Sequence, residues 1–305
     1  MKRIVAAAIA SMGLLAGPGW SHGGTLETDN LTVNNKITLT TNATFDVSSN
    51  TAGRWRMNDN TNTTTVVDAS ANNNTGVFYG GGNTVDHHTS GKVGTGALFF
   101  DGTNDYIDVA DSNSLDFGTG SFSIALWIYM DQLKTQDLLC KNTTAEAGLP
   151  EFETRVGADG KVAMYTHYYG YSEIYSVTSL TTNRWYHIVM VRNANGVNEI
   201  WIDGNLDATA TLTVRNVSNT RFMRIGDENR TGGAQFDGQM DEILIVNKVL
   251  TSADIRGLYN AGSGSESSTG AVPSAVVCGE ARFIDGVGYS KALGDLSMGI
   301  YTNSP

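Results

Sequence analysis

The chain reads as an all-β protein: a two-sheet antiparallel sandwich with a short N-terminal β stem and one short C-terminal helix. Three observations carry that reading. Gly is frequent (35) and Pro scarce (4), with abundant Asn and Thr, a turn-rich and strand-rich balance. Short runs of alternating apolar residues recur between Asp-Gly and Asn-Gly turns, without intervening helical patterns. The two strongest runs, FSIALWIYM (122–130) and RWYHIVMVRN (184–193), are apolar on both faces, as strands covered on both sides are.

Taken in order, residues 1–21 have the form of a secretory signal peptide. Lys2 and Arg3 precede an apolar run from Ile4 to Ala16, Gly17-Pro18 breaks it, and small residues suit cleavage near Ser21. The run is short for a membrane span, and no second apolar segment of spanning length follows, so the expectation is a secreted, extracellular or cell-surface protein with no membrane span after signal removal. An uncleaved anchor is the alternative. Residues 22–52 are rich in Thr and Asn and alternate at Leu31, Val33, Ile37, Leu39, Phe45 and Val47, which suggests a stem or linker whose strands pair with another segment or with a second copy of the chain.

The main domain is expected over 53–261. GRWRMN opens it, and an Asn-rich loop containing Asp68 follows. In FSIALWIYM, Phe122, Ile124, Leu126 and Ile128 face one way and Ala125, Trp127 and Tyr129 the other. In RWYHIVMVRN, Trp185, His187, Val189 and Val191 share a face, with His187 expected as a satisfied sheet histidine. Asn195-Gly196 and Asp203-Gly204 mark hairpin turns, and TSADIRGLY (251–259) is the one helix, capped by Thr251 or Ser252. Residues 262–274 form a linker, and 275–305 a tail too short for a core of its own.

Charged residues make up 17% of the chain and the net charge is −11, with no basic patch, which excludes nucleic acid as a partner. The acidity serves solubility or, in part, holds calcium, a cation that prefers oxygen ligands. An exported chain can pair its two cysteines, Cys140 and Cys278; a small buried thiol at the end of DLLCK is the alternative.

WRMNDN…VVDASANNNTG, GTGALFFDGTNDYIDV, SFSIALWIYM, RWYHIVMVRN, IWIDGNLDA and FDGQMDEILIVNKVLTSADIRGLY, in that order, resemble the concanavalin A-like lectin/glucanase superfamily, in particular the laminin-G-like, pentraxin-like modules of secreted bacterial, phage and marine proteins. The resemblance covers about residues 53–261 and implies a jelly roll. It also implies a structural calcium, held by an Asp side chain at the start of the last long strand and by backbone carbonyls. The matching residue is Asp241 in GQMDEILIV, and the resemblance places Asn58 or Asp59 and the Gly102 region near it. Asp68 is a further candidate that competes with a turn-forming role, and Asp241 accepting a backbone hydrogen bond without metal is the alternative.

A ligand surface is expected at MYTHYYGYSEIY (164–175). Read as one strand, it puts Tyr165, His167 and Tyr169 on one face and Tyr168 on the other, with Tyr171 following. Aromatic platforms with a few polar groups suit sugar rings, and Glu153 and Arg155 on the preceding strand are spaced to point the same way. Sheet-surface tyrosines or a chain interface are the bland alternatives. Glucanases of this fold carry Glu-x-Asp-x-x-Glu on one strand; that motif is absent here, and Asp241 and Glu242, being adjacent, are expected on opposite faces. His87-His88 is expected to be a solvated loop. The expected function is thus a secreted, non-catalytic, carbohydrate- or surface-binding adhesion module stabilised by calcium. The alternative is a structural component of an appendage, biofilm or virion surface, with possible homo-oligomer formation; a glycoside hydrolase is third.

Overall fold

Strand alternation sets the orientation of the whole sandwich. In Phe122–Met130 the even-numbered side chains Ile124, Leu126 and Ile128 lie in the hydrophobic core, and Ala125, Trp127 and Tyr129 face outward, as the period of two requires. The computed structural model describes residues 44–141, 152–166, 172–228 and 234–272 in full, and the backbone of 30–33, 37–39, 275–277 and 281–284.

The chain divides into two compact units, Thr44–Gly270 and one made from both ends. In the terminal unit, β1 (Asn30–Val33) pairs with β22 (Ala281–Ile284) and β2 (Ile37–Leu39) with β21 (Ala275–Val277), all antiparallel. The partner of the N-terminal strands is therefore the C-terminal tail of the same chain.

The Thr44–Gly270 unit holds two eight-stranded sheets, antiparallel throughout. Sheet I contains β4 (Thr51–Trp55), β7 (His88–Thr89), β8 (Ala97–Asp101), β10 (Phe122–Met130), β15 (Trp185–Arg192), β16 (Val197–Ile202), β17 (Asn205–Thr211) and β19 (Asp237–Val246). Its order is β17-β16-β15-β10-β19-β8-β7, with β4 also on β19. Sheet II contains β5 (Thr65–Val66), β6 (Gly76–Tyr79), β9 (Tyr106–Val109), β11 (Gln136–Lys141), β12 (Phe152–Val156), β13 (Lys161–Thr166), β14 (Glu173–Ser179) and β18 (Met223–Ile225), in the order β14-β13-β12-β11-β18-β9-β6-β5. Leu98, Ile124, Ile188, Met240 and Ile245 from sheet I meet Phe78, Ile107, Phe152, Met164 and Ile225 from sheet II in one core. Each such side chain removed from water contributes about 1.5–3 kcal/mol.

The predicted helix is α2 (Ser252–Tyr259), N-capped by Thr251 with a capping box to Asp254. It packs on β3 (Thr44–Asp46), where Phe45 is buried, and β3 pairs with β20 (Thr269–Ala271). A second helix, α1 (Thr84–His87), stands where a solvated loop was expected. The His87 ring packs 4.2 Å from Phe78, and its Nδ1 lies 3.4 Å from Asp105 Oδ2. Cys140 is buried on β11, with Sγ 3.3 Å from the Asp227 carbonyl; Cys278 lies outside the described residues.

Two β-bulges interrupt the ladders, and each redirects a carboxylate. On β19 the register to β10 shifts between Ala125 and Trp127, with Glu242 left-handed at φ 48°. The extra residue places both Asp241 and Glu242 between core-facing Met240 and Ile243, which corrects the expectation that they face opposite ways. On β11 the register to β12 shifts between Asp137 and Leu139, so Leu138 and Leu139 both enter the core.

A candidate ligand-binding face on sheet II

Residues directly opposite each other in an antiparallel pair put their side chains on the same face. Seven strands of sheet II share one such row away from the core: Val77, Asp108, Arg224, Cys140, Glu153, Tyr165 and Glu173. A neighbouring row carries Asp137, Arg155, Ala163 and Tyr175, and Tyr79 opposes Tyr106 toward the other end. The expectation that Glu153 and Arg155 share a face thus holds, and the β11 bulge is what aligns Asp137 with them.

Two aromatic and charged groups stand on this face. In the first, the Arg155 guanidinium donates from Nε to Asp137 Oδ1 (3.1 Å), pairs with Glu153 through Nη2, lies 3.6 Å from Glu228, and covers the Tyr165 ring at 5.2 Å. Tyr165 and Tyr175 meet edge to face with their hydroxyls 3.0 Å apart, and the Tyr175 hydroxyl donates to Glu173 (3.1 Å). Burial, reinforced by the charge of Glu153, pushes Asp137 up to about 8 against the pull of Arg155. Burial likewise raises Tyr165, which stays neutral. In the second group, Arg224 grips Asp108 with two nitrogens (2.8 and 3.1 Å) and covers Tyr106 at 3.7 Å, while Tyr79 stacks on Tyr106 at 5.1 Å. Tyr79 and Tyr175 are 45% and 46% exposed, so the fold leaves both rings open to solvent.

The tyrosine-rich run is not one strand. It is split between the antiparallel strands β13 and β14, which brings Tyr165 and Tyr175 together. His167, Tyr168, Tyr169 and Tyr171 lie outside the described residues. Sequence reasoning missed Tyr79, Tyr106, Asp137 and Arg224. The signal for Tyr79 and Tyr106 was the alternation in GVFY and YIDV. No sequence signal linked Arg224 to Asp108. A groove of about 480 Å³ lies elsewhere, beside Thr178, Arg184, Asp203 and Asp207. Its acids are already committed: Asp203 to His187 N and Arg184, and Asp207 to the amides of Val177 and Thr178.

The residues considered for calcium divide. Asp241 is sealed on β19, where β8 and β4 leave residues 241–242 between them. Its Oδ2 accepts from the amides of Lys92 and Val93, each at 2.8 Å, and its Oδ1 accepts no hydrogen bond from the described residues. Burial pushes Asp241 up to about 7 against the Val93 donor, with Glu242 adding repulsion. Asn58 holds the same loop, accepting from Gly96 N (2.9 Å) and donating to Glu266 (2.6 Å). The other three are placed differently. Gly102 gives its carbonyl to Lys134 Nζ (3.1 Å) beside Asp237, four residues up the strand from Asp241. Asp59 accepts from Val67 N (3.1 Å). Asp68 is a turn former, accepting from Arg54 N, Ser70 N, Ser70 Oγ and Asn74 N. The structure therefore gathers Asp241 and Asn58 around the 91–96 loop and leaves Gly102, Asp59 and Asp68 to other work.

A laminin G profile of the concanavalin A-like lectin/glucanases superfamily matches residues 101–256. The chain belongs to this superfamily. Solved structures of the same fold include the binding domain of Paraclostridial Mosquitocidal Protein 1, at 18% identity and TM-score 0.56, where the match covers 71% of this chain and 53% of that one. Domain 4 of AbnA, an extracellular arabinanase from Geobacillus stearothermophilus solved with arabinotriose, matches at 17% identity and TM-score 0.55, covering 71% of this chain and 98% of that domain. A structure of botulinum neurotoxin type C, whose cell entry is described as dependent on two ganglioside molecules, matches at 14% identity and TM-score 0.53, covering 70% and 52%. The chain thus spans about half the length of the toxin domains it matches. A comparison with curated protein sequences found no match. Binding domains with the concanavalin A-like jelly roll are therefore the structural company this chain keeps.

Proposed function

We propose that the protein is a secreted, non-catalytic, lectin-like module that binds a glycan on the outer face of sheet II and serves adhesion. The observation that carries this reading is the pairing on that face of exposed tyrosines, Tyr79 and Tyr175, with arginine-ordered partners, Tyr106 and Tyr165. Flat rings accept the C–H face of a sugar, and fixed carboxylates and guanidinium groups at their edges accept and donate to hydroxyls. The sugar ligands named for the arabinanase domain and the neurotoxin support it. The N-terminal Lys2-Arg3 and apolar run support export.

Calcium fits at Asp241. The buried Oδ1 without a hydrogen bond supplies one ligand oxygen, and Glu242 Oε1, also buried without a hydrogen bond, lies on the adjacent residue. A cation there neutralises Asp241, which already ties β19 to the 91–96 loop through its Oδ2, while Glu242 stays paired with Arg54. Catalysis is disfavoured because Asp137 and Glu153 are both buried and both bound by Arg155, so neither reaches a glycosidic oxygen.

The test is a glycan array probed with the exported chain, with and without chelator. The expected result is binding to one oligosaccharide class that Tyr175→Ala and Tyr168→Ala weaken. An array on which nothing binds at any calcium concentration defeats the reading.

A further inference from the structure

The first group on this sheet face also gathers three acids around one arginine. Asp137, Glu153 and Glu228 each place a carboxylate oxygen within 4.8 Å of the other two. Arg155 touches all three, but it meets Asp137 only through Oδ1. Asp137 is fully buried, and its Oδ2 has no hydrogen-bond partner among the described residues. If that oxygen is charged, it is a buried anion on a residue grouped with two more acids; if it is protonated, it is a buried hydroxyl with no acceptor among the described residues. Both states carry a desolvation cost that no described hydrogen bond to Oδ2 offsets.

We propose that Asp137, Glu153 and Glu228 form a cation site on the outer face of sheet II, separate from Asp241, that takes a hard divalent cation of the calcium class through Asp137 Oδ2. The donor set is all oxygen, which selects calcium, magnesium or manganese over softer metals. Three carboxylates from a strand, its neighbour and a following loop suit the flexible coordination of calcium better than a strict octahedron. The β11 bulge is the device that builds the site, since it puts Asp137 beside Arg155 and Glu153. This inference does not depend on the glycan reading.

The test is calorimetric titration of calcium chloride into the chelator-stripped full chain, using Asp241→Asn to silence the site on sheet I. The Asp241→Asn chain is expected to bind one equivalent with Kd on the order of 10⁻⁴–10⁻³ M or tighter. The double variant Asp241→Asn/Asp137→Asn is expected to lose that equivalent. Absence of binding by Asp241→Asn at about 10 mM calcium, well above that range, overturns the proposal, as does unchanged binding by the double variant. A second readout covers the case in which the double variant fails to fold. Terbium, a hard oxygen-seeking ion, is expected to luminesce when excited through Tyr165 in the Asp241→Asn chain, to be displaced by calcium, and to dim in Tyr165→Phe. Terbium emission that calcium does not displace, or that Tyr165→Phe leaves unchanged, also counts against the site.

Discussion

His187 departs furthest from what its surroundings in sequence announce. It alternates with core residues on β15, yet it packs against Trp127 and Tyr259 with Nδ1 lacking a hydrogen bond among the described residues, so the expected satisfied sheet histidine leaves one ring nitrogen unpaired there. Burial holds it down to about 3, below the usual histidine range near 6.5. The unfolded chain therefore takes the proton first. Stability is complete above about pH 6.5 and falls as the pH drops toward 3, by about 1.4 kcal/mol per pH unit from this group alone. Urea unfolding across pH 4–7 is expected to show a steeper loss in the wild type than in His187→Phe, and equal slopes contradict the assignment. Arg54 is the second residue that governs its surroundings. It is buried, pairs with Glu242 at 2.6 Å and also donates to Ser265 O and Ser268 Oγ. Arg54→Met strands a buried carboxylate and is expected to cost about 3–5 kcal/mol in chemical denaturation; a cost near zero means that Glu242 finds another partner.

At the scale of elements, α2 shows how tertiary contact overrides propensity. Glycine inside an exposed helix is worth replacing with alanine by roughly 0.8–1 kcal/mol. Gly257 is an exception, because a Cβ there stands 2.1 Å from the buried Phe45 ring. Gly257→Ala is expected to destabilise the protein by about 1–3 kcal/mol, measured as a lowered denaturation midpoint; a stabilised variant contradicts the packing of β3 on α2. The helix itself was legible, because Thr251 and Asp254 spell a capping box ahead of Ile255 and Leu258. So were the central strands β10 and β15, whose alternation survives intact in the structure, and the shared face of Glu153 and Arg155. The bulges were not. A period-two reading assumes an uninterrupted ladder, so it sent Glu242 to the wrong face and did not single out Asp137, although the consecutive apolar pair in QDLLCK breaks the alternation at that point. The tyrosine run also misled, since a pair of short strands and one long strand share the same β-forming composition. Pairing of the N-terminal strands with the tail joins segments some 250 residues apart, beyond the reach of any local signal.

For the molecule as a whole, the two outer faces of the sandwich are built differently. The centre of the outer side of sheet I is covered: Trp127 and His187 pack against Tyr259, and Arg54 ties Glu242 to the 265–268 segment, while Leu206 on the edge strand β17 stays exposed. The outer side of sheet II keeps Val77, Tyr79, Tyr175 and Val177 exposed. The family match establishes the architecture, and the asymmetry between the faces supports the location assigned to binding. The most direct measurement is the affinity of the best array oligosaccharide for the wild type and three variants: Tyr79→Ala and Tyr175→Ala on sheet II, and Lys92→Ala on the covered side of sheet I. At least one sheet II variant is expected to weaken binding about tenfold, some 1.4 kcal/mol, with Lys92→Ala unchanged. Full affinity in both tyrosine variants, or a loss confined to Lys92→Ala, contradicts the account.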